Sequence, residues 1–140
     1  MTTAQDEAES LLHEVIPFAE QMLSERGEFF PFAGALTPKG EFMPIVGYES
    51  LGHTPDELID LLANRLREGA VANEYAATAL VYNARVTPPG GSEETDAISA
   101  EIEHRDGYAA TLFFPYAAGE NETALPEPFG VEQYRGIFPR

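Results

Sequence analysis

The sequence predicts an α+β domain built on an antiparallel sheet. Three observations predict it. Two segments carry apolar residues at helical spacing behind capping residues, from Thr3 to Arg26 and from Thr54 onward. Two apolar runs flank the turn Thr37-Pro38-Lys39-Gly40. Two later runs are strand-like and meet at Asp106-Gly107.

The first helix is predicted over Thr3–Arg26. Ala8, Leu11, Leu12, Val15, Ile16, Ala19, Met22 and Leu23 fall on one face. Thr3 and Asp6 have capping-box spacing, and Gly27 is placed as a stop. Pro17 removes the hydrogen bond to the His13 carbonyl, so a kink or break is expected there. The polar face carries Asp6, Glu7, Glu9, Glu14, Glu20 and Glu25 against Arg26 alone.

A hairpin follows, with strands near 29–36 and 41–48. Pro44 cannot donate to a ladder, which assigns the second strand to a sheet edge. The second helix opens at Thr54-Pro55-Asp56-Glu57, a second capping box with Pro at the first helical position. Leu58, Ile59, Leu61, Leu62 and Leu66 form its buried face, and Gly69 is expected to end it.

Three strands come next. Asn73–Thr87 is β-rich and free of proline inside, and Pro88 to Glu94 reads as a flexible loop. Asp96–His104 points Ile98, Ala100 and Ile102 one way and Ser99, Glu101 and Glu103 the other. Tyr108–Tyr116 returns with Leu112, Phe114 and Tyr116 on one side. Residues 119–140 are rich in Pro and Gly and read as an irregular tail; Phe129, Val131, Tyr134, Ile137 and Phe138 would dock it on the domain.

The element order is therefore α-β-β-α-β-β-β, in a five-stranded antiparallel sheet with both helices on one face. The profilin-like and roadblock-type folds are similar in this order. That likeness places the first two strands on one side and the last three on the other, with Asn73–Thr87 at an edge. The roadblock pattern closes on a third helix, which this tail does not supply.

Composition bounds the chemistry. The 140 residues suit one domain, and none is cysteine, which excludes disulfides, thiolate metal sites and cysteine nucleophiles. That absence and an acidic, polar N-terminus lead to the expectation of a cytoplasmic protein with no membrane span. With 24 acidic and 8 basic residues the net charge is −16, which repels nucleic acid and anionic membranes and attracts a basic partner.

Three stretches resemble a family of small uncharacterised bacterial proteins. They are Gly27-Glu28-Phe29-Phe30-Pro31-Phe32, Glu101-Ile102-Glu103-His104-Arg105-Asp106-Gly107 and Phe114-Pro115-Tyr116. Their motifs are a helix exit, a turn and a strand end, and the resemblance implies no activity. Similar compact bacterial domains include immunity proteins, which bind and neutralise toxins.

No motif specifies a reaction, and no catalytic, cofactor or metal residue is assigned. The candidates are His104, Glu103, Asp106 and His13. A histidine beside a carboxylate suits general-base work. Neighbours on a strand diverge, however, so Glu103 should pair with Glu101 in a solvated acidic ladder. His13 and His53 lie near helix boundaries without metal spacing. Glu93, Glu94 and Asp96 lack a calcium-loop pattern, and Glu28 and Glu41 flank the first hairpin. The serines lack a nucleophile elbow, Gly90-Gly91 is no phosphate loop, and Lys39 is an exposed turn lysine.

The expected function is a non-catalytic binding or regulatory domain of immunity type, its acidic surface meeting a basic protein. The alternative is a small-molecule binder or hydrolase with a pocket near His104 or His13. A third reading, homodimerisation, rests on the expected exposed edge of Asn73–Thr87.

Overall fold

The computed structural model describes residues 3–26, 30–45, 54–87, 94–115, 129–131 and 136–138. Helix α1 spans Ala4–Arg26 and α2 spans Pro55–Val71. The strands are β1 (Phe32–Leu36), β2 (Phe42–Ile45), β3 (Ala77–Val86), β4 (Thr95–His104), β5 (Ala109–Pro115) and β6 (Phe129–Val131). They form one antiparallel sheet in the order β2-β1-β3-β4-β5-β6.

The α+β class and the antiparallel sheet agree with the sequence reading, but three features correct it. The described residues form six strands, because Phe129–Val131 within the predicted irregular tail pairs with β5. The long strand β3 is central, bonded to β1 on one side and β4 on the other, and so it lends no exposed central edge to homodimerisation. The helices lie on opposite faces rather than one.

The strand pleat explains the third correction. Phe32, Leu36, Ala77, Ala79, Val81, Ile98, Ala100 and Ile102 face α1 and pack with Leu11, Leu12, Val15 and Ala19. The alternate residues Ala33, Ala35 and Leu80 face α2 and pack with Leu62, Ala63, Leu66 and Tyr75. β1 and the first half of β3 are buried on both faces. A strand buried on both faces needs a cover on each side, and two helices supply it.

Both predicted capping boxes form. Asp6 N–H donates to Thr3 Oγ1 at 3.0 Å while Thr3 N–H donates to the Asp6 carboxylate at 3.2 Å. Thr54 and Glu57 exchange the same pair of bonds at 3.2 Å each. Pro17 does not break α1, which runs unbroken through it. Pro17 and His13 are both exposed, on the side of α1 turned away from the core. Pro44 sits on edge strand β2, where its missing donor costs no ladder bond.

α2 does not stop at Gly69. It continues to Val71 and closes on a Schellman motif, with Glu74 N–H donating to Gly69 O at 2.9 Å and Asn73 N–H to Ala70 O at 3.1 Å. Asn73 takes the left-handed conformation at φ 61°. The predicted strand 73–87 accordingly starts four residues late. Asn73→Ala is expected to cost about 1 kcal/mol, because a Cβ without a compensating polar group is strained there, while Asn73→Gly leaves stability unchanged or raises it. Urea denaturation of the two variants checks this.

The turns follow their glycines. Gly40 (φ 87°) and Gly107 (φ 105°) supply the positive φ that closes the β1–β2 and β4–β5 hairpins.

Candidate functional site

The sequence candidates separate onto opposite faces of the sheet. His104 points toward α1, Glu103 toward α2, as strand alternation requires. His104 is 2% exposed, and its Nε2 lies 2.8 Å from Glu7 Oε1 on the first turn of α1. Its Nδ1 accepts the Asp106 backbone N–H at 3.0 Å. With Nδ1 serving as acceptor, the ring proton sits on Nε2 and is donated to Glu7. The Asp106 carboxylate stands 3.7 Å from Nδ1 and is itself largely exposed.

This arrangement does mechanical work. It ties the start of α1 to the β4–β5 turn by a bond between residues 97 apart in the chain. Both ring nitrogens are engaged and the ring is sealed, so no substrate atom can reach either nitrogen. Glu7 was read only as one of the acids on the helix surface. Nothing in local sequence spacing couples it to His104.

Glu103 corrects the sequence reading of a solvated ladder. It is 2% exposed, and its carboxylate accepts three consecutive backbone N–H groups, from Gly136 at 3.1 Å, Ile137 at 2.9 Å and Phe138 at 3.2 Å. Ile137 and Phe138 are buried in the cluster beneath α2. Arg67 of α2 closes the arrangement by donating to the Gly136 carbonyl at 3.2 Å. Residues 136–138 are thereby docked on the domain, the backbone wrapped around a buried anion much as a main-chain nest wraps one.

Glu101, opposite Thr111 on β5, accepts from the Tyr82 hydroxyl on this same face. The hydroxyls of Thr78, Ser99 and Thr111 are nearby on β3, β4 and β5 and have no side-chain partner. Each oxygen exposes less than 1 Å², so none offers a ligand an approach.

His13 is exposed and borders an open groove of about 520 Å³ between α1 and β5. Leu12, Ile16 and Phe114 make its floor, Pro17 lies beside His13, and Glu9 and Glu20 stand toward its two ends. The α1 residues fall at i, i+3, i+4, i+7, i+8 and i+11, a single helical stripe, so the two carboxylates are spaced about 16 Å along the axis. Sequence reading found His13 and the acids but not the groove, because Phe114 joins it only through the β4–β5 pairing.

The remaining candidates stand apart. Glu94 and Asp96 both approach the exposed Arg85, at 4.0 Å and 3.9 Å. Glu41 is exposed beside the β1–β2 turn. His53, Glu28 and Glu93 lie outside the described residues, as does Tyr116. Among the described residues no three His, Asp or Glu side chains gather as a metal-holding group, and no helix is long and apolar enough to cross a membrane.

No family model matches the chain, and no curated protein or solved structure matches it. Of the stretches Gly27–Phe32, Glu101–Gly107 and Phe114–Tyr116, the second is described in full. It builds the Glu103 cradle, the His104 clamp and the β4–β5 turn.

Proposed function

We propose that this chain is a non-catalytic binding domain, of the immunity type, that uses an acidic surface to hold a basic protein. The observation that carries the reading is the outward face of α1. Asp6, Glu9, Glu14, Glu20 and Glu25 are all exposed there, and none is in an ion pair with another described residue. Glu94 and Asp96, by contrast, have Arg85 beside them. Uncompensated like charge on one helix costs stability through self-repulsion. A partner of opposite charge would recover that cost and gain in association rate.

A small-molecule reading draws support from the groove beside His13, whose volume lies in the range of ligand sites. His104 adds nothing to it, since both its nitrogens are already bonded.

The test is affinity capture from native lysate, with wild type against a variant carrying Gln at Glu9, Glu14, Glu20 and Glu25. The expected result is a basic protein retained by wild type at low salt and lost both in the variant and at about 1 M salt, where the screening length is near 3 Å. No retained protein, or one held equally under all three conditions, overturns the reading.

A further inference from the structure

We infer that the groove between α1 and β5 is the docking site itself, and that its occupant is a protein segment presenting apolar side chains between two basic ones. The inference rests on the acidic-surface reading above and narrows it to one place and one partner chemistry.

The argument is complementarity along the stripe. Glu9 and Glu20 mark the two ends, exposed and without an ion-pair partner among the described residues. His13 lies between them on the same stripe. A carboxylate therefore stands toward each end of a largely apolar groove. A purely ionic partner leaves the floor of Leu12, Ile16 and Phe114 wet. A purely apolar partner leaves the two carboxylates without a counter-charge. A segment with Lys or Arg about 16 Å apart and aliphatic side chains between them satisfies both, and three turns of an amphipathic helix have that length.

The chain's own next segment is a poor occupant by the same criterion. Residues 116–128 contain Glu120, Glu122 and Glu127 and no basic residue, so they would set like charge against Glu9 and Glu20. A second copy meets the same objection, at a net charge of −16.

The probe is a synthetic helical peptide of Lys, Leu and Ala, with Leu at i, i+3 and i+4 and a Lys one turn beyond each end of the Leu stripe. Titration is followed by fluorescence anisotropy and by the NMR signals of His13 and Phe114. Glu9→Gln/Glu20→Gln is expected to weaken binding about tenfold at low salt, the sum of two exposed ion pairs. Glu14→Gln/Glu25→Gln makes the same change in net charge off the groove and should leave the affinity within about twofold. The His13 and Phe114 signals should move in wild type.

Equal weakening in both double variants overturns the groove while sparing the acidic-surface reading. Failure of the peptide to bind wild type at low salt overturns the groove, while the acidic-surface reading stands or falls on the lysate capture. Displacement of the peptide by one spanning residues 116–128, or self-association of wild type that the Glu9/Glu20 variant loses, gives the groove another occupant and overturns the proposal. So does a glutamate version of the peptide that binds equally well.

Discussion

Glu103→Ala is expected to destabilise the protein by about 4 kcal/mol and to release the C-terminal segment. The magnitude follows from what the substitution leaves behind. Three backbone N–H groups, of Gly136, Ile137 and Phe138, lose the Glu103 carboxylate at once. A buried donor without a partner costs about 1–3 kcal/mol, so leaving all three in place is unfavourable. The alternative is undocking, which returns those groups to water but exposes Ile137 and Phe138, worth about 1.5–3 kcal/mol each in lost burial. The protein takes the cheaper course, and the two estimates are similar enough to bracket the loss. Replacing a buried ion pair by apolar residues can be neutral, but the three main-chain donors here cannot be substituted away. Glu103→Gln keeps one acceptor oxygen and should lose about half as much. Urea denaturation gives the stability. Trypsin cleavage after Arg135 and amide exchange at Gly136–Phe138 report the segment. Wild-type resistance at Arg135 in the alanine variant, with unchanged exchange, would mean that Glu103 does not hold it.

The contrast between Glu101 and Glu103 shows where sequence reading reaches its limit. Alternation placed both on one face, correctly, because the strand period is fixed by backbone geometry. Whether that face is wet is decided by what lies over it. For Glu103 the cover is residues 136–138, more than thirty positions away, and no local pattern encodes the meeting. The capping boxes at Thr3 and Thr54, the edge strand at Pro44 and the turn at Gly107 were legible because each depends on a few adjacent residues. The sheet order was not legible, although a signal for it existed. Phe32–Leu36 and Ala77–Val81 are continuously apolar or small apart from Thr78, the mark of strands covered on both faces. Read that way, the two runs belong side by side at the centre with one helix on each side. The candidate site was legible in part. Its acids and His13 share one helical face, but Phe114 and the volume between come from tertiary packing.

Gly69→Ala carries the second large effect, and its sign is opposite to the usual one. In an exposed helix the exchange gains up to about 1 kcal/mol, since alanine has less backbone freedom to lose. At position 69 the new Cβ would stand 2.2 Å from Tyr75 Cε2, 2.6 Å from Cζ and 2.9 Å from Cδ2. Three ring atoms inside 3.0 Å mean that the ring or the helix must move. The Tyr75 ring is 1% exposed and packed in the cluster with Leu66, Leu80 and Ile137, so it has nowhere to go cheaply. Overpacking of this kind costs about 1–3 kcal/mol, and a 2.2 Å contact puts it at the upper end, so after a propensity gain of up to about 1 kcal/mol the expected net loss is about 2 kcal/mol. Tyr75→Ala alone loses about 3–5 kcal/mol, but it also removes the obstruction, so the double variant should lose less than the sum of the single losses. A thermal-denaturation cycle over the four proteins measures that coupling, and additive losses would place the ring elsewhere. The same displacement has a second consequence. α2 carries Arg67, which bonds the Gly136 carbonyl, so moving α2 loosens the segment that Glu103 holds. Losses from Gly69→Ala and Glu103→Ala should therefore also fall short of additive. The groove on α1 lies across the sheet from both, and peptide affinity there should be unchanged in either variant wherever the protein remains folded.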